Sequence, residues 1–106
     1  MIEEYFFQDE RLGIPIPDMD KNWNDYNMDL QHSILFEWET IRGQIPDRIA
    51  MLETEINQKL DELADENDFM RCCRLNNEVA ELASVINDLW IWYRTHENIM
   101  TSKLEH

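Results

Sequence analysis

From Leu30 onward, apolar residues recur every three or four positions: Leu30, Ile34, Trp38, Ile41, Ile45, Ile49, Leu52, Ile56, Leu60 and Leu63. This is one stripe on a period of 3.6 residues, the mark of an amphipathic helix. Gly43 and Pro46 interrupt it chemically. Pro46 removes the hydrogen bond to the Arg42 carbonyl, and its ring crowds that turn. The stripe nevertheless keeps its phase across both residues. The expectation is a kinked or briefly broken helix starting near Asn24. A full turn at Gly43 is the alternative, since glycine favours helix C-termini.

Phase is lost in the polar run Asp65-Glu66-Asn67-Asp68, where Asn67 or Asp68 can cap a new helix. Beyond it, Cys72, Leu75, Val79, Leu82, Ile86, Leu89 and Tyr93 step by alternating threes and fours. That is a heptad seam, continuing to His96 and Met100. The pattern predicts an all-α fold, a long antiparallel helical hairpin whose first arm is kinked near Gly43-Pro46 and whose turn lies near residue 66. In this register Leu63 meets Met70, Leu52 meets Val79 or Leu82, and Trp38 meets Tyr93. Leu82 and Ile86, mid-helix on the seam, are expected to be nearly fully buried. A second row of Ala80, Ala83, Trp90 and Ile91 widens the stripe. Two helices alone cannot cover it, so two hairpins are expected to pair as a homodimer into a four-helix bundle, with a three-helix bundle as the alternative.

Residues 1–22 read differently. Gly13-Ile14-Pro15-Ile16-Pro17 disfavours helix, because proline lacks an N–H and pushes its predecessor out of the α region. The expected organisation is an extended N-terminal arm over 1–22 and a helical domain over 23–103. The final Leu104-Glu105-His106 reads as a tag remnant. The arm carries Tyr5, Phe6, Phe7, Leu12, Ile14 and Ile16. It either packs back on the helices, orders on a partner, or has no role.

Composition narrows the classes of function. The chain has 106 residues, enough for one domain, and a formal net charge of −14. The acid is spread along the whole length. It repels phosphate backbones and anionic membrane surfaces, so neither nucleic acid nor a membrane is an expected partner. There is no apolar run of the ~20 residues a bilayer span needs. The acidic Met1-Ile2-Glu3-Glu4 lacks the basic start of a signal peptide. Adjacent Cys72 and Cys73 cannot easily bridge each other, which points to a reducing, cytoplasmic setting.

Candidate chemistry is sparse. Asp18-Met19-Asp20-Lys21-Asn22 matches the opening of a calcium loop, but Trp23 stands where glycine is needed and Asp29 where a bidentate Glu is needed. Asp18, Asp20, Asn22 or Asn24 reads better as a cap on the first helix. The cysteine pair lacks the spaced partners of a zinc site, although Arg71 and Arg74 flank it. Asp29-Leu30-Gln31-His32 is half of a carboxylate-histidine pattern whose other ligands are missing. An enzyme built on a helical bundle shows polar residues at stripe positions, and these stripes are apolar nearly throughout. No catalytic residue, metal or cofactor is therefore expected. The reading is a non-enzymatic protein-binding or assembly module. Trp90, Trp92, Trp38, Tyr5, Phe6 and Phe7 are its candidate contact residues, because Trp and Tyr anchor interfaces. The alternative is an acidic inhibitor, an immunity protein or nucleic-acid mimic, seated on the basic site of a toxin or nuclease.

Overall fold

The computed structural model describes residues 2–94. The chain opens with a turn of 3-10 helix, Ile2–Tyr5, and a two-stranded antiparallel sheet of β1 (Phe6–Asp9) and β2 (Ile14–Pro17). A second short 3-10 turn, Trp23–Asp25, leads into α1 (Met28–Arg42), α2 (Ile45–Ala64) and α3 (Phe69–Arg94). The molecule is elongated, 60 × 25 × 21 Å.

The sheet corrects the all-α expectation. Phe6 pairs with Pro17, Phe7 with Ile16, Gln8 with Pro15 and Asp9 with Ile14. The Asp18 amide donates to the Tyr5 carbonyl just beyond the ladder. Hydrogen-bonded pairs alternate along an antiparallel ladder. This sets 5/18, 7/16 and 9/14 as the bonded pairs, and both prolines fall at positions whose missing N–H would have pointed outward. Alternate prolines thus fit an edge strand. The connecting turn is fixed by Asp9, whose Oδ1 accepts from the Leu12 amide at 2.9 Å. Its carbonyl accepts from Gly13, which sits at φ +79°. That left-handed backbone is cheap for glycine alone.

The helix starts are set by short polar side chains. Asn27, rather than any residue of 18–24, caps α1: its Oδ1 accepts from the Leu30 amide at 2.8 Å. The end of that segment instead enters the 3-10 turn Trp23–Asp25, which Asn22 precedes without a side-chain cap. Asp68 caps α3, accepting from the Met70 amide at 3.1 Å.

Between α1 and α2 the chain bends without reversing. Gly43 and Gln44 keep right-handed helical dihedrals, and Pro46 occupies the first turn of α2, where its missing N–H costs nothing. α2 and α3 then pair as the hairpin. Arg71 reaches Glu62 at 2.7 Å and Lys59 reaches Glu78 at 3.0 Å. Farther up, the Trp38 and Trp92 rings meet edge to face at 5.7 Å. The register is close to the expected one but differs in detail: Trp38 meets Trp92 rather than Tyr93, and Met70, expected against Leu63, stands exposed. α1 packs on β2 and on the first 3-10 turn.

The core lies at the end where arm, bend and the last turns of α3 converge. Ile34, Trp38, Ile45 and Leu89 are fully enclosed, with Leu12, Ile14, Trp23 and Tyr26 joined to them. Each such aliphatic side chain contributes about 1.5–3 kcal/mol by leaving water. The seam of α3 is centred differently from the expected line. Leu75, Val85 and Leu89 are buried, whereas Leu82 and Ile86 are half-buried. The cause is the arm. Arg11 lies over Glu81, Ser84 and Asp88, so cover is added on the flank that carries Val85, away from Ile86, while Leu82 borders a shallow groove with Glu55, Lys59, Glu78 and Glu81.

Candidate functional site

The expected contact residues fall into three environments. Trp38 is wholly buried, one of the largest enclosed side chains. It holds the centre of the core and presents no face at the surface. Its indole Nε1 finds no acceptor among the described residues, a cost of about 1–3 kcal/mol that the surrounding apolar contacts offset. Trp92 and Trp90 are half-buried. Trp92 sits against Trp38, and Trp90 meets the Tyr93 ring edge to face at 5.5 Å. Arg42 stacks over the Tyr93 ring at 4.9 Å and donates from Nη1 to its carbonyl at 3.0 Å, so the end of α3 is pinned to the bend. On the arm, Tyr5 is half-buried against Tyr26, with centroids 5.4 Å apart, and Phe6 is half-buried against the core. Phe7 alone of the arm aromatics projects outward, 55% exposed.

Pattern reading missed Arg11. Its Nε donates to Glu81 at 2.9 Å, Nη1 to Asp88 at 2.7 Å and Nη2 to Ser84 at 2.8 Å. Those hydrogen bonds, Asp88 first and Glu81 second, raise its pKa above the ordinary value. Arg48 completes the clasp from the other helix, donating from Nε to the Leu12 carbonyl at 3.0 Å. The turn of the β-hairpin is thus held between α2 and α3. Sequence offered one cue: Arg11 is the only cation in the acidic stretch before Lys21.

The arm divides the helical hairpin into two unlike faces. On its own side run the ion pairs Lys59–Glu78 and Arg71 with Glu62 and Glu66. The hydrogen bond to Glu78 also raises the Lys59 pKa. A shallow groove of about 310 Å³ lies there, lined by Glu55, Lys59, Glu78, Glu81 and Leu82. At about 100° per residue, Cys72, Val79, Ala83, Ile86 and Trp90 project from the opposite flank of α3. Leu60 joins them from α2, 44% exposed. Between Cys72 and Trp90 this flank carries no charge; its polar members are Asn76 and Asn87, and α2 adds one acid, Glu53. Near the turn, Phe69 and Met70 stand 75% and 70% exposed.

The remaining motifs do not converge. Among the described residues no three His, Cys, Asp or Glu side chains are placed to hold a metal ion. His32 is exposed, and His96 and Met100 lie outside the described residues. Cys73 is exposed, while the half-buried Cys72 directs its Sγ to the Glu66 carbonyl at 3.6 Å. Arg71 is engaged by Glu62 and Glu66 rather than by either thiol. No helix among the described residues is long and apolar enough to cross a membrane. Comparisons with protein-family models, with curated proteins and with solved structures find no match for this chain.

Proposed function

We propose that this chain is a non-enzymatic protein-binding or assembly module, working in the cytoplasm, whose helical hairpin docks on another protein chain through the face opposite the arm. The observation that carries this reading is the contrast between the two faces. One face is closed by the arm and by ion pairs. The other holds exposed Leu60 and half-buried Val79, Ile86 and Trp90, a face that the arm leaves uncovered among the described residues. A hairpin that pairs with a further hairpin through this face makes a four-helix bundle, the arrangement in which its wide stripe is fully covered.

The inhibitor reading rests on a different observation, the carboxylates gathered on the arm's side. Most of them already have cations: Glu81 and Asp88 hold Arg11, Glu78 holds Lys59, and Glu62 and Glu66 hold Arg71. An anionic mimic needs carboxylates unsatisfied until its target arrives, so these pairs favour the docking module.

The test is capture of a native partner by the purified chain, compared with a Val79→Glu, Ile86→Glu double variant of unchanged circular dichroism. Loss of capture in the variant, with little dependence on salt, is the expected outcome. Capture that survives the variant but collapses between low and high salt transfers the function to the acidic face.

A further inference from the structure

We infer that the occupant of the arm-free face is a second copy of this chain, bound antiparallel about a two-fold axis passing near Ala83. This rests on the docking reading above and names its partner.

Charge permits the copy on this face alone. Each chain carries −14, so two copies can approach closely only through a surface without charge. The flank from Cys72 to Trp90 is such a surface on an otherwise acidic helix pair. A basic partner, which the net charge would otherwise attract, gains nothing from a face whose one ion is Glu53.

The size is sufficient. Cys72 to Trp90 spans ~27 Å at ~1.5 Å per residue, and two helices are ~20 Å wide. The footprint is ~500 Å² per copy, or ~1,000 Å² for the pair, at the threshold for a specific interface.

The pattern is self-complementary in one orientation. Bulky Trp90 lies at one end, the slimmer Cys72 and Leu60 at the other, and exposed Ala83 near the middle, where two helices can approach closely. Antiparallel pairing sets each Trp90 against the partner copy's Leu60 end. It also lays the acidic turn, with Asp61, Asp65 and Asp68, toward the end where the partner copy carries Arg42 and Arg94. Parallel pairing would set acidic turn on acidic turn.

The experiment uses the full chain. Sedimentation equilibrium at micromolar concentration should give twice the chain mass of 12.9 kDa. Ala83→Glu, at an exposed position, should keep its circular dichroism and weaken association at least ~100-fold. In a Cys72→Ala, Cys73→Ala background, Ala83→Cys should form an intermolecular disulfide on mild oxidation and Leu60→Cys should not. Efficient crosslinking through Leu60→Cys overturns the antiparallel pairing. A monomer at all concentrations overturns the second copy. If that monomer still binds a hydrophobic dye, and Val79→Glu abolishes the binding, the face docks on something else. If it binds no dye, the docking reading falls as well.

Discussion

The two ends of this molecule are built from the same kind of helix and reach very different degrees of burial. At the arm end, seven consecutive members of the α1–α2 stripe run from half-buried Leu30 to fully buried Ile45 and Leu52. At the turn end the same stripe continues through Ile56, Leu60 and Leu63, none of which is buried. Periodicity is equal at the two ends; what differs is a third element. Leu12 and Ile14 of the β-hairpin close the groove at one end, and at the other two helices face water alone. An amphipathic stripe therefore establishes which side turns inward, while the number of layers determines how much apolar surface leaves water.

The largest expected effect removes that third layer. Deleting residues 1–22 uncovers Ile34, Val85 and Leu89 together, and should abolish cooperative thermal unfolding and cause aggregation, followed by circular dichroism and light scattering. A truncated chain that melts like the whole one would erase the distinction between the ends. Next come paired truncations along the stripe. Trp38→Ala should cost about 3–5 kcal/mol in urea unfolding, whereas Ile56→Ala, half-buried in the two-layer region, should cost less than about 1.5 kcal/mol. Equal losses would mean that the turn end is as well covered as the core.

Gly13→Ala probes the joint between arm and helices. A Cβ there would stand 2.6 Å from Arg48 Nε, and the backbone is at φ +79°. The strain and the displaced Arg48 should together cost about 1–3 kcal/mol, with amides of the arm gaining hydrogen exchange before those of α2 do. Arg11→Ala is expected to have the smallest effect. Its partners are exposed, so the melting temperature should fall slightly, and by less as salt rises. A loss unaffected by salt would show that its stem, rather than its charge, fastens the turn.

Much of the helical part was legible in the sequence because a helix face repeats: phase preserved through Gly43 and Pro46 meant a bend, and phase lost at Asp65–Asp68 meant a turn. The β-hairpin was not legible. Alternate prolines give the same extended signature whether a strand is paired or solitary, and only the register shows that both lie at positions where no amide is needed. Nor could the stripe say which flank of α3 the arm would choose. Arg11 settles that, through three partners 70 to 77 residues away, and the burial centre moves from Ile86 to Val85. Of the candidate contact residues, Phe7 is exposed, Trp90, Trp92, Tyr5 and Phe6 are half-buried, and Trp38 is enclosed by the core. An aromatic on a stripe serves equally well inside or outside, and periodicity does not separate the two.

The length of chain between Arg11 and its partners has a temporal consequence. α2 and α3 join through contacts close to their own turn, so they can zip together quickly, whereas the arm must wait for a closure spanning most of the chain. On a ribosome the delay is vectorial. Tyr5, Phe6, Leu12 and Ile14 emerge first, and the carboxylates that receive Arg11 emerge among the last described residues. Until then the nascent chain presents the apolar side chains of the arm unsheltered. Early chaperone contact with residues 5–16, released only once Asp88 has cleared the exit tunnel, would be the kinetic signature of this clasp.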